Sequence, residues 1–284
     1  MRHKPLFLVA CLIAVAAVVF AIATSVSTQP ATAAGGASAT GITGKFSSIC
    51  FYSHSAPDDA IVYPGQPGKS HMHDFIANPS TDAGSTVASL QAAKSNCVDT
   101  KDTAAYWVPA LSSNGQVVHA SSITVYYLTS QTGKVTPYPL GFKEIAGNAH
   151  AMNASQAQDI RWGCSTSFPD QPQAPTCKSG ESLHVRVDFA DCWDGKNLDS
   201  LDHVSHVAYS SKGKCPSTHP VLIPLLELLV KYPVSDGRTV TLSSGGTWSM
   251  HGDFFNAWDA TELASLVDKC LNAHINCPRP DGGS

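Results

Sequence analysis

Two histidines stand two residues apart in His71-Met72-His73-Asp74-Phe75. If this stretch is extended, both imidazoles point to one face, because side chains along a strand repeat every second position. Two imidazoles so placed offer two ligands to one metal, and a third must come from a distant segment. Asp202-His203-Val204-Ser205-His206 and His251-Gly252-Asp253-Phe254-Phe255 are the sources. The candidate ligands are therefore His71, His73, His206 and His251, with zinc or copper as the cofactor, since imidazole suits both. Asp74 and Asp253 each adjoin a candidate histidine and are candidates to orient a ring or move a proton. The competing explanation is that these histidines satisfy backbone groups of loops, since an H-x-H pair by itself is unspecific.

A second constellation is Asp191-Cys192-Trp193-Asp194-Gly195-Lys196. Paired carboxylates beside a tryptophan are what glycoside hydrolysis uses, so Asp191 and Asp194 are candidate catalytic acids. Trp193 and Trp107 are candidate stacking platforms for a sugar. Against this, Asp194-Gly195 is an ordinary turn dipeptide and large aromatics are more often core. No G-x-S-x-G, H-E-x-x-H, P-loop or G-x-G-x-x-G occurs in the sequence, which removes the usual support for serine hydrolases, zincins and nucleotide binders.

The elements that must position these residues read as strands. Residues 106–111 and 116–119 flank Asn114-Gly115, a tight-hairpin dipeptide. Residues 122–129 are β-branched and aromatic, and should form a third strand beside that hairpin. Residues 182–189 alternate as a half-buried strand. Residues 221–232 are leucine-rich but flanked by Pro220, Pro224 and Pro233, which favours an edge or bulged strand. Residues 239–243, after Asp236-Gly237, should complete a hairpin with it. Helices are expected over 85–94 and over 259–272, the latter begun by Asp259 and Glu262 and apolar along Leu263, Leu266, Val267, Cys270 and Leu271. The expected fold is mainly β: a β-sandwich or jelly-roll-like single domain with long loops and a C-terminal helix.

The first residues place the domain. Met1 to Lys4 is basic, residues 6–23 carry no charge, and Ala31-Thr32-Ala33 offers an A-x-A cleavage site. Residues 1–33 thus read as a secretory signal, with an uncleaved signal-anchor as the alternative. A flexible Ser/Ala/Gly segment over 34–44 and one extracellular domain over 45–280 follow. Without Arg2 and Lys4 the 18 basic residues become 16 against 22 acidic ones, a formal charge of −6. That balance argues against nucleic acid, and no later segment suits a membrane, leaving at most an N-terminal anchor. Beyond Cys11 there are eight cysteines, an even count that points to disulfides in an oxidising compartment. Pairing of sequence neighbours is expected: Cys50–Cys97, Cys164–Cys177, Cys192–Cys215 and Cys270–Cys277.

The motifs 62–68, His71-Met72-His73-Asp74-Phe75, Tyr106-Trp107-Val108-Pro109, Arg161-Trp162-Gly163-Cys164, 191–196, 203–206 and 251–254 occur in an order that resembles the domain of unknown function numbered nineteen-ninety-six. The resemblance runs from about Cys50 to Cys277 and departs from the family's pattern at Ile76-Ala77-Asn78. It implies a secreted protein of bacterial or fungal type, linked by context to cell walls or plant biomass, and no particular reaction. Two functions follow as expectations: a metal-dependent extracellular enzyme acting on a polysaccharide or cell-wall polymer, or a non-catalytic module binding such a polymer.

Overall fold

The computed structural model describes Met1 and residues 41–157, 159–165 and 171–278. The expected signal, apart from Met1, and residues 34–40 lie outside the described residues. The chain divides into Met1–Thr32 and Ala33–Ser284, and the second unit carries the fold described below.

In chain order the strands are β1 Gly44–Cys50, β2 Tyr52–Ala56, β3 His73–Ile76, β4 Ala105–Pro109, β5 Leu111–Ser113, β6 Gln116–Val118, β7 Ser122–Thr129 and β8 Lys143–Gly147. They continue as β9 Ile160–Cys164, β10 Leu183–Asp188, β11 Cys192–Trp193, β12 Val207–Ala208, β13 Val221–Leu222, β14 Leu225–Lys231, β15 Val240–Leu242 and β16 His251–Phe255. Two antiparallel five-stranded sheets dominate, ordered β1-β7-β14-β10-β9 and β2-β3-β4-β16-β8. Val125, Val185 and Leu228 of the first sheet share one buried cluster with Tyr106, Val108 and Phe254 of the second, so the sheets stack on a common core. The fold is mainly β, as expected.

The far face of the second sheet is also covered. Phe75, Trp107 and Phe255 pack there with Ala60, Ile61 and Leu90, the last from helix α1, Val87–Ala92. Thr86 caps α1 by accepting from Ser89 N. Helix α2, Ala260–Leu266, starts where Asp259 accepts from the backbone of Thr261 and Glu262, and widens into a π-helical turn over Val267–Leu271. Leu263, Val267, Cys270 and Leu271 are buried. A Cβ on Gly44 would lie 2.6 Å from the Cys270 carbonyl oxygen, so β1 meets the end of this helix backbone to backbone.

All four disulfides join the expected sequence neighbours. Such a set fits an oxidising environment of extracellular type.

Several strand expectations change. The Asn114-Gly115 hairpin forms, both residues at positive φ, but β7 pairs with β1 and β14 in the first sheet and not with the hairpin. Strand β14 is central, not at an edge: Pro224 and Pro233 lie just outside it, so no ladder N–H is lost. Its predicted hairpin with 239–243 is absent, because β15 pairs with β5. Strand β10 is buried on both faces. Its charges are tolerated because Arg161 bridges Asp188 at 2.5 Å and Glu227 at 3.2 Å, while Arg186 pairs with Glu227.

Candidate metal centre

Strand register brings two of the candidate histidines together. His73 faces Pro109, and Asp253 faces Trp107, so His251 comes level with Pro109 two residues further along. His73 and His251 therefore occupy one cross-strand row, with only the compact Pro109 between them. Their rings lean over it until the Nε2 atoms are 3.4 Å apart. His71 lies just before β3, and its ring centroid is 4.2 Å from that of His73 and 5.1 Å from that of His251. One ligand atom from each ring lies within 4.8 Å of the others.

Backbone carbonyls decide which nitrogen carries the proton. His73 Nδ1 is 2.9 Å from the Asp58 carbonyl oxygen and His251 Nδ1 is 2.8 Å from that of Ser249. A carbonyl only accepts, so both Nδ1 atoms donate and both Nε2 atoms keep a lone pair. Burial, followed by the charges of His251 and His71, holds His73 well below the usual imidazole value. Burial lowers His251 to about 4, and burial also lowers His71. The rings are thus neutral near neutral pH. Two lone pairs then face each other at 3.4 Å without a proton between them, and the buried His71 Nε2 has no hydrogen-bond partner among the described residues. A shared cation relieves that arrangement, and three neutral imidazoles fit zinc or copper.

Asp253 shares the face. Its Oδ2 lies 3.9 Å from His251 Nε2, is buried and has no hydrogen-bond partner among the described residues. Burial, then the charge of Asp59, raises its carboxyl well above the usual range. The Trp107 indole N–H, on the residue directly across the ladder, is also buried without a partner among the described residues.

The remaining candidates stand elsewhere. His206 is buried, with Nε2 2.7 Å from the Lys143 carbonyl and Nδ1 2.9 Å from Ser200 Oγ, and it is not in the triad. Asp74 faces away from His73, since neighbouring residues on a strand point oppositely. It accepts from Ser55 Oγ at 2.6 Å and sits 3.3 Å from His119 Nδ1. Asp191 turns inward to Gln131 Nε2 and Ser210 N, whereas Asp194 is half-buried and caps the turn through Lys196 N and Asn197 N. Their carboxylates are spent on local structure rather than aimed at a common water. Trp107 is fully buried and presents no ring to a sugar. Trp193 lies edge-on to Phe142 and donates to the Asn197 carbonyl. The sequence reading missed His150, whose charge is among the causes lowering His71 and His251. No local motif marks it.

The family model described as Domain of unknown function (DUF1996) matches residues 59–258. The chain belongs to this family. The DUF1996 match contains His71, His73, Asp253 and His251, and stops short of β1 and α2. No curated protein and no solved structure matches the chain.

Proposed function

We propose that this DUF1996 protein is an exported metal-dependent enzyme whose centre is His71, His73 and His251 holding zinc or copper, and whose substrate is a polysaccharide or cell-wall polymer. The carrying observation is the pair of Nε2 lone pairs facing each other at 3.4 Å, each fixed by a carbonyl on its own Nδ1. Three protein ligands leave a coordination position open, the pattern of catalytic rather than structural sites. A metal there supplies Lewis acidity toward a substrate oxygen. Asp253, raised by burial, holds a proton beside the site. Export is supported by the apolar stretch near the N-terminus and the four disulfides. The alternative of a polymer-binding module that stacks sugars on tryptophan finds less support, because Trp107, Trp162 and Trp258 are buried.

Metal content and titration calorimetry on the secreted protein, beside a His71→Ala, His73→Ala double variant checked for folding by circular dichroism, test the centre. Stoichiometric zinc or copper binding lost in the double variant is expected. Equal, negligible binding by both folded proteins would overturn the reading. Release of soluble sugars from insoluble wall polysaccharide, abolished by a chelator and restored by metal, tests the substrate.

A further inference from the structure

Strand β8 lies at the edge of its sheet, and two contacts fix the direction of its backbone groups. Lys143 N donates to the Leu198 carbonyl at 2.9 Å, and the Lys143 carbonyl oxygen is 2.7 Å from His206 Nε2. Both groups of Lys143 therefore point away from β16. In an antiparallel ladder this direction recurs at every second residue, so Ile145 aims its N–H and C=O outward and Gly147 its N–H. Among the described residues nothing pairs with these groups. At φ +87° Gly147 then turns the chain out of the sheet, and the open edge ends there.

A cavity of about 400 Å³ lies against this edge, a size within the range of small-ligand sites. Asp159 faces it, with a buried Oδ1 that has no hydrogen-bond partner among the described residues; burial raises this carboxyl to about 6. Asn148 and Gln156 line it as well. Their side-chain oxygens accept from the backbone of His150 and Met152, which leaves both amide nitrogens to donate. Val204, Val207 and Tyr209 give the cavity an apolar wall, and the Tyr209 hydroxyl is held by the Asp188 carbonyl at 2.8 Å. Strand register sets the cavity one strand from the triad, since Gly147 is level with His251 and Ile145 with Asp253.

We infer that this cavity is a subsite for one pyranose unit of a polysaccharide chain. A pyranose carries hydroxyls that both donate and accept around apolar ring faces. The cavity offers donors on Asn148, Gln156 and Gly147, acceptors on Asp159 and Ile145, and an apolar wall beside them. An extended peptide adding to the sheet needs a longer row of open ladder groups, which the turn at Gly147 removes. The inference deepens the proposed function: it rests on the polymer being a polysaccharide and not on the metal.

The test uses the full secreted protein, stripped of metal and titrated by calorimetry with cellohexaose, laminarihexaose and N-acetylchitohexaose. At least one should bind, and amide hydrogen exchange over residues 145–148 should slow in its presence. Asp159→Asn keeps the shape and removes the charge, and should weaken that binding at least about tenfold. Asp82→Asn, on an exposed turn where the carboxylate accepts from Gly84 N, should match wild type. A sugar that binds Asp159→Asn as tightly as wild type and leaves 145–148 unprotected overturns the subsite alone. Binding of no sugar overturns the polysaccharide reading and the subsite together. Protection of 145–148 by a soluble peptide of alternating threonine and valine, and by no sugar, overturns the subsite in favour of strand addition.

Discussion

Gly252 stands against Val187 of the opposite sheet, where a Cβ would lie 2.9 Å from Val187 Cγ1 and 3.1 Å from Phe189. This contact orients the site. Because residue 252 must face the other sheet, its neighbours His251 and Asp253 face the opposite way, onto the side of the histidine triad. Gly252→Val should therefore overpack the core and cost about 1–3 kcal/mol in urea denaturation. It should weaken metal binding as well, because the strand carrying His251 must shift. Unchanged stability would mean that the sheets separate at this point without cost.

Asp74 and Asp253 look equivalent in sequence and should behave differently. Asp253→Asn should lower metal affinity about 10- to 100-fold, as expected for a group beside a ligand. Asp74→Asn should leave affinity unchanged, since this carboxylate serves Ser55 and His119 on the other face. Calorimetry on both variants checks this, and equal losses would contradict the strand geometry.

The pH dependence follows from His251. Its value in the folded protein is lowered to about 4, below an ordinary imidazole near 6.5, so protons bind the unfolded chain more tightly. This ring's contribution to stability is complete above about pH 6.5, is lost as pH falls toward 4, and changes no further below. The span is about 3 kcal/mol. In metal-free protein, the stability difference between wild type and His251→Gln should move against wild type by at least that amount between pH 7 and 4, since removing the His251 charge also makes His73 easier to protonate. Proton competition with bound metal should likewise set in nearer pH 4 than 6.5. A stability difference independent of pH would refute the lowered value.

A buried polar network links the sheets to the start of the C-terminal helix. Asp102 accepts from Tyr106 Oη, which lies 2.7 Å from Tyr127 Oη, and Trp258 Nε1 donates to Tyr127 Oη at 2.8 Å. Tyr127→Phe keeps the ring and removes one hydroxyl, leaving the Trp258 donor dependent on the longer 3.2 Å contact to Tyr106. A cost of about 1–3 kcal/mol is expected by denaturation. A neutral result would show that Tyr106 and Trp258 satisfy each other.

Thiol titration of the denatured, unreduced secreted protein should find no free cysteine. Removing one bridge with Cys192→Ala, Cys215→Ala should cost about 2–4 kcal/mol. Two or more free thiols in freshly secreted material would contradict the observed pairing.

What could be read from the sequence was local. Alternation along 122–129 marked a strand, Asn114-Gly115 marked a hairpin, and neighbouring cysteines pair because short loops are easily closed. The spacing of His71 and His73 put both rings on one side because a strand repeats every two residues. The same rule, applied one residue further, already sends Asp74 to the other face. The tertiary structure decided the rest. That His251 and not His206 joins the pair depends on β4 separating β3 from β16, a neighbour relation between segments some 180 residues apart. Likewise β14 became a central strand although its flanking prolines suggested an edge, since strand order is set by which apolar faces stack across the core. Period and turn chemistry are properties of a few consecutive residues. Strand adjacency and register are properties of the packed whole, and the site exists only where they bring two strands into one row.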